Sequence, residues 1–554
     1  MFNSFYPLFK LDPLNGFVVL TIGLFFFLTI IYSVRFMQGK KKLIHYYTYV
    51  ILTAVASAGV VVSNNLILLL VCWGFLGLTL YLLINMGEGD VSSVAKKTFI
   101  IVGGTDALML LGIGIIYYLG GTFQMDNIKL ALNSSLTVMA YLCIALGCFA
   151  KSGAMPLHTW IPACAESAPV PVVAFLPASL DKLLGIYLLA RISMDLFVMN
   201  EAMNMFLMLI GAFTIITAVM MALVQHKMKK LLGYHAVSQV GYMVLGIGTG
   251  NPIGIAGGLF HMLNNAVYKS CLFLTSGNVE QKIGTTDLDK LGGLAKSMPL
   301  TYISALIASL SISGIPPFNG FFSKWMIYQG LISSWQMGVG KWQMIIYTLC
   351  LVAAMFGSGL TLASFMKLLH ATYFGQLQNI KTKDSKNEVS WQMWFPTLTL
   401  AAICVIFGVF ASQIPLKYFI LPAVRGVEFM GTWYAGLSTL LIIAGLFLGL
   451  LIFKLGNLKS VLRQDVAYTG AETKDLPDTR ITGTEFYNTI REFGIMGKIY
   501  KQAEAGVFDI YEQGKNLVFG LGRFFQYLHN GVLPTYLVWT LLGMVGLFFA
   551  LLRK

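Results

Sequence analysis

Runs of about twenty apolar residues, the length that crosses a bilayer as a helix, recur along most of this sequence with only short polar breaks. The pattern predicts fourteen spans: 16–36, 45–63, 66–86, 97–119, 136–165, 172–193, 204–225, 234–250, 252–276, 299–338, 342–373, 392–411, 433–455 and 534–552. Two of them, 136–165 and 299–338, are too long and too interrupted for one simple helix. Their interruptions share a composition: "KSGAMP" (Lys151 to Pro156) and "SGIPPFNGFFSK" (Ser313 to Lys324) each combine a Ser-Gly pair, proline and a lysine. Proline removes a backbone donor, and in lipid the freed carbonyls must line a cavity or meet a neighbouring group. Each segment is therefore expected to be a broken helix. Two discontinuous helices in corresponding positions point to inverted repeats around an ion path at the midplane.

The repeats are placed at 66–193 and 234–373. Residues 1–65 are the N-terminal spans, 194–233 a connecting span and 374–455 the C-terminal spans. A polar linker, "AYTGAETKDLPDTRITGTEFYNT", then opens an amphipathic lateral segment at 456–531, followed by a final span at 532–554. As one helix, Thr484 to Asn530 would extend about 70 Å along the membrane surface. Gly494, Gly497, Gly506, Gly514, Gly520 and Gly522 weaken that continuity.

Composition fits this picture. With 57% hydrophobic and 11% charged residues and a mean hydropathy of +0.74, the chain reads as an all-α polytopic membrane protein. A net charge of +14 raises the question of nucleic acid, and its placement answers it. Counting alternate connections, one face receives fifteen basic residues: Arg35, Lys40, Lys41, Lys42, Lys96, Lys97, Lys227, Lys229, Lys230, Lys282, Lys290, Lys296, Lys381, Lys383 and Lys386. The other receives six: Lys10, Lys129, Arg191, Lys341, Lys417 and Arg425. The positive-inside rule puts the first face in the cytoplasm, the N-terminus outside and the protein in the plasma (inner) membrane. The charge sets topology and implies no nucleic-acid partner. Seven cysteines lie mostly within apolar segments and form no CxxC pair. Without a metal-ligand spacing, a phosphate loop or a nucleophile elbow, no cofactor or metal site is expected. The first apolar run is long enough to stay as a helix, so no cleaved signal is expected.

Charged side chains inside spans cost on the order of 3 kcal/mol each and need a reason. They are Asp106 in "VGGTDALMLLG", Lys151, Asp181 and Lys182 in the stretch Gly147 to Arg191, His261 and Lys269 in "FHMLNNAVYKSCLFL", Lys324 in "SGIPPFNGFFSKW", and Lys367 in "SFMKLLHATYFG". Lys367 lies near a helix end, where a lysine snorkels to the headgroups or is satisfied by a neighbouring helix. His158, just after Pro156, reads equally as an interfacial histidine or as part of the buried set. His261, Asn265 and Lys269 recur every fourth residue and form a polar stripe rising about 12 Å along an apolar helix. Lysine pKa values fall on desolvation and rise beside a carboxylate, so a buried row of lysines can exchange protons near neutral pH. The constellation suits a proton relay better than a substrate pocket.

Four ordered motifs carry a resemblance: "KSGAMPLHTWIPACAESAPVPV", "KKLLGYHAVSQVGYMVLGIG", "FHMLNNAVYKSCLFLTSG" and "SGIPPFNGFFSKW". Over about residues 11–375 the chain resembles the antiporter-like membrane subunits of respiratory complex I, of energy-converting membrane hydrogenases and formate hydrogenlyases, and of multisubunit sodium/proton antiporters. The resemblance implies that Lys151, Lys182, His261, Lys269 and Lys324, with Asp106, form a hydrophilic axis that moves protons or sodium. Three departures stand out. Trp73 is followed by Gly74, where the family usually has glutamate, so the carboxylate expected beside Lys151 is missing; Asp181 or Asp106 is the candidate replacement. The opening "FKLDPLNGFVVLTIG" matches the family's third helix. The family's second central histidine is here Asn265.

The expected function is therefore ion translocation within a hetero-oligomeric, redox-driven complex of the NADH-quinone oxidoreductase or hydrogenase type. This chain would hold no redox centre and would work with other membrane subunits and a peripheral redox arm. Alternatives are a cation/proton antiporter component without redox partners, or the ion-flux partner of an inorganic-carbon uptake enzyme.

Overall fold

The computed structural model describes residues 8–89, 91–336, 340–374, 388–455 and 484–552. Asp12 opens the first helix by accepting hydrogen bonds from the amides of Leu14 and Asn15, with Pro13 at the first helical position. From there run α1 (Pro13–Phe36), α2 (Leu43–Val62), α3 (Leu66–Ile84) and α4 (Val91–Gly120). Next come α5 (Ser135–Ser152), α6 (Trp160–Ser167), α7 (Val170–Phe175), α8 (Asp181–Arg191), α9 (Glu201–Leu223), α10 (Met228–Gly248) and α11 (Pro252–Ile283). After these follow α12 (Pro299–Ser313), α13 (Asn319–Gln336), α14 (Lys341–Tyr373), α15 (Trp391–Val409) and α16 (Ala435–Leu455). The short α17 (Asn488–Glu492) ends this unit; α18 (Gly494–Glu504), α19 (Ile510–Leu528) and α20 (Leu533–Leu552) form a second. Two-residue strands β1 (Leu130–Ala131) and β2 (Phe197–Val198) pair in parallel.

The Ser-Gly pairs are helix stops. α5 ends at Ser152 with Gly153 at φ +83°, and α12 ends at Ser313 with Gly314 at φ +80°, the left-handed conformation that closes helices. A Cβ on Gly153 would also lie 1.9 Å from Ile161. The chain resumes as a helix only at Trp160 and at Asn319. α7 and α8 are joined differently, by a π-helical turn at Leu176–Leu180 that contains Pro177, so Val170–Leu196 forms one span, buried at every residue from Val170 to Ala190.

Among the described residues, eleven helices are long and apolar enough to cross a membrane. The three of the fourteen expected segments that do not qualify are α10, α11 and the α12/α13 pair. α12 is short, and the others carry the polar residues considered below. α11 is buried along nearly its whole length and packs on α7, α8, α10, α12, α13 and α15. In lipid, helices associate through close packing of small residues rather than by escape from water. α9 and α10 meet at Gly211 and Gly241, where an added Cβ on either would stand 2.7 or 2.6 Å from the other's carbonyl.

The lateral segment is not one continuous helix. α18 stops where Gly506 takes φ +76° and the Val507 amide bonds back to the Gln502 carbonyl, a left-handed glycine stop. α19 then runs through Gly514, Gly520 and Gly522 with a strongly apolar face: Leu517, Phe524 and Phe525 are exposed. The linker at 456–483, Lys381, Lys383 and Lys386 lie outside the described residues.

Candidate functional site

The first half of the site is built where α5 stops and the π turn begins. Lys182 Nζ donates to the Pro177 carbonyl (2.6 Å) and to that of Ser152 (3.3 Å), the last residue of α5. The carbonyl ends of helices carry partial negative charge, so the ammonium sits at the favourable pole of α5. Asp181 is fully buried beside it, and neither carboxylate oxygen has a hydrogen-bond partner among the described residues. Lys151, on the last turn of α5, turns instead to α3: its Nζ lies 5.0 Å from the centre of the Trp73 ring and 3.4 Å from the Trp73 carbonyl. Asp106 of α4 lies against α3 at Gly77, with one buried oxygen unpartnered. Lys151 is within electrostatic reach of both Asp181 and Asp106.

The second half gathers on α11. His261 bonds through Nδ1 to Ser323 Oγ of α13 (2.9 Å) and through Nε2 to Gln239 of α10 (3.1 Å). Lys269, two turns on, donates to the Leu232 carbonyl (2.9 Å) and faces the Phe365 ring. Asn265 lies between them, fully buried and without a partner among the described residues. Lys324 donates to the carbonyl of Ile312 (2.9 Å) at the end of α12, 4.6 Å from the centre of the Tyr242 ring. Asn264 and Asn319 exchange hydrogen bonds across the α11–α13 seam at the break.

The halves meet on α11: Ser270 donates to the Ala174 carbonyl of α7 (2.8 Å), and Lys269 is within electrostatic reach of Lys182. The breaks are not used identically. At the second, Lys324 of α13 takes the carbonyls at the end of α12; at the first, Lys182 of α8 takes that at the end of α5, leaving Lys151 to Trp73. His158 is half-buried in the turn between α5 and α6.

Sequence reasoning passed over His235. It is fully buried on α10, bonds through Nε2 to Ser364 of α14 (2.7 Å), and lies within electrostatic reach of Lys269, Lys324 and Lys367. Its signal was in view, a histidine inside the apolar run "KKLLGYHAVSQVGYM". Lys367 does not snorkel but is satisfied by a neighbouring helix: it is 5% exposed and donates to the carbonyls of Leu223 (2.5 Å) and Gln225 (2.9 Å) at the end of α9.

At the opposite face, a cavity of about 440 Å³ lined by Lys10, Asp126, Lys129 and Arg425 opens onto the ion pair of Asp12 and Arg191 (2.8 Å). None of the buried lysines lines it. Burial works against the Asp12 charge, yet hydrogen bonding and attraction from Arg191 win and hold its carboxyl below the usual value.

A family model described as "NADH:quinone oxidoreductase/Mrp antiporter, TM" matches residues 63–352. The chain is 29% identical over 447 residues to NAD(P)H-quinone oxidoreductase subunit 5, organellar chromatophore 1, of Paulinella chromatophora, covering 73% of this chain and 64% of that protein. It is 31% identical over 426 residues to a Na(+)/H(+) antiporter protein of Alkalihalophilus pseudofirmus, covering 72% and 52% respectively. With the N-type subunit of the NADH-quinone oxidoreductase of Desulforudis audaxviator it shares 30% identity over 427 residues, covering 73% and 82%. The chain thus spans less than two thirds of the first two relatives' length. Among solved structures, a chain of the membrane-bound sulfane sulfur reductase, an archaeal respiratory membrane complex, superposes with TM-score 0.78 at 22% identity, covering 98% of this chain and 89% of that one. A chain of the Mrp complex from Dietzia superposes with TM-score 0.67 at 20% identity, covering 75% and 84%.

Proposed function

This chain belongs to the NADH:quinone oxidoreductase/Mrp antiporter membrane family, and from that premise we propose that it is the ion-translocating subunit of a larger redox-driven membrane complex. One observation carries the reading: the buried ammonium groups of Lys182, Lys269 and Lys324 are held by backbone carbonyls and pair with no carboxylate at hydrogen-bond distance among the described residues. A carbonyl accepts a hydrogen bond from a lysine amine in either protonation state. Each group can therefore gain or lose a proton without losing its place. Lys151, Asp181, Lys182, Lys269, His235, His261 and Lys324 form the row, and Asp181 supplies the carboxylate absent after Trp73.

In this reading the ion is a proton or sodium, and the face bearing Lys40–Lys42 and Lys227–Lys230 is the cytoplasmic side of the plasma membrane. The exposed apolar surfaces of α16, α19 and α20 lie against lipid and sister subunits. The fold match to the respiratory reductase takes in nearly all of this chain, which favours the redox-driven reading over a free-standing antiporter. The test is purification of the intact complex, its iron and flavin content, and ion flux in reconstituted vesicles. Redox-coupled flux lost in Lys324→Met bears the proposal out. Flux driven by sodium alone, with no redox partner, moves the chain to the antiporter reading.

A further inference from the structure

The row of buried lysines needs an end in water, and the structure contains a ring of contacts that runs from Lys367 to the part-exposed pair of His226 and Asp289. Lys367 of α14 lies one turn beyond Ser364, the hydroxyl that holds His235, so the two share one face of the helix. Its ammonium reaches the Gln225 carbonyl; the next residue, His226, holds Asp289 through Nδ1 at 2.8 Å; and Asp289 accepts a hydrogen bond from Thr484. Three residues after Thr484, the Tyr487 ring lies 5.7 Å from Lys367 Nζ, and its hydroxyl donates to the Ala363 carbonyl (3.1 Å) one turn back on α14. The ring closes on the residue it started from. The segment that leads into the lateral helices is thus fastened at both ends, at Thr484 to Asp289 and at Tyr487 to α14.

We infer that Lys367 is the residue at which the buried row meets the lysine-rich face, and that Tyr487 is its cover. A proton arriving there from water is taken up on Lys367 Nζ as one leaves it inward toward His235, or the reverse, so each passage restores the group. Tyr487 shields the amine from bulk water while its face attracts the cation. Anchorage through Thr484 and Asp289 fixes when the cover is in place. The inference rests on the proposed translocation and adds the terminal group and its gate.

The test uses the intact complex in vesicles with the lysine-rich face outward. A membrane-impermeant maleimide is applied to Lys367→Cys, alone and with Tyr487→Phe or Tyr487→Ala, and modification at position 367 is read by peptide mass. Slow labelling is expected alone and with Tyr487→Phe, which keeps the ring, and labelling at least tenfold faster with Tyr487→Ala. Equal rates in all three overturn the cover. In transport, Lys367→Met is expected to lower flux at least tenfold. Full flux in Lys367→Met with none in Lys324→Met overturns this inference and leaves the row standing; full flux in both overturns the row itself.

Discussion

Asp181 and Lys182 are consecutive, fully buried residues with opposite circumstances: Lys182 donates to two backbone carbonyls, while both oxygens of Asp181 have no hydrogen-bond partner among the described residues. A buried carboxylate in that state is costly, and it lies within electrostatic reach of Lys151 as well as Lys182. Asp181→Asn is expected to slow flux about as much as Lys182→Met, read in reconstituted vesicles. Full activity in Asp181→Asn would transfer the role to Asp106.

Lys182→Met and Lys324→Met each remove an ammonium from the end of a broken helix and keep a side chain of similar length. Assembly should persist, with the orphaned carbonyls costing about 1–3 kcal/mol, while flux falls at least tenfold. Native-gel mobility and vesicle flux measured together separate the two effects. Loss of assembly without loss of specific flux would make these lysines structural.

Gly408 of α15 fixes the second break. A Cβ there would stand 2.0 Å from the Pro317 carbonyl and 2.5 Å from the Phe318 carbonyl carbon, whereas one on Gly74 of α3 meets nothing within 4 Å. Gly408→Ala should destabilise by about 1–3 kcal/mol through overpacking, and Gly74→Ala should not. Thermal unfolding in detergent compares them.

The pair of Asp12 and Arg191 ties α1 to α8 at the face opposite Lys367. Because the Asp12 carboxyl is held below its ordinary 3.8, its contribution to stability is complete above about pH 4 and is lost as the pH falls through the lowered value. Wild-type melting temperature should therefore fall in that acid range by a component that Asp12→Asn lacks. Identical pH profiles would count against the pair.

Removing residues 493–554 leaves Tyr487 and every buried lysine in place. Phe508, Phe524 and Phe525 are more than half exposed in the single chain, and each would contribute roughly 1.5–3 kcal/mol if fully buried against a sister subunit. The truncation is expected to loosen the complex on native gels while ion exchange by the remainder persists. Intact assembly with abolished exchange would make the arm part of the conduction machinery.

What the sequence determined by itself was whatever follows from local chemistry. Apolar run length marked the membrane spans, because lipid leaves a backbone no choice but helix. The Ser-Gly pairs with nearby proline marked where α5 and α12 stop, because a glycine in the left-handed conformation and a missing donor act within a few residues. The rarity of charge in apolar runs singled out Lys151, Lys182, Lys269, Lys324 and Asp181. Partnership was decided only by the tertiary structure. That Lys182 rather than Lys151 occupies the carbonyl end of α5, that His235 joins the row through Ser364, and that Lys367 is enclosed by Tyr487 all depend on contacts between residues 30, 129 and 120 positions apart. No periodicity encodes such distances. They are fixed when α11 is surrounded by its neighbours and each buried polar group must take whichever partner the packing brings within reach.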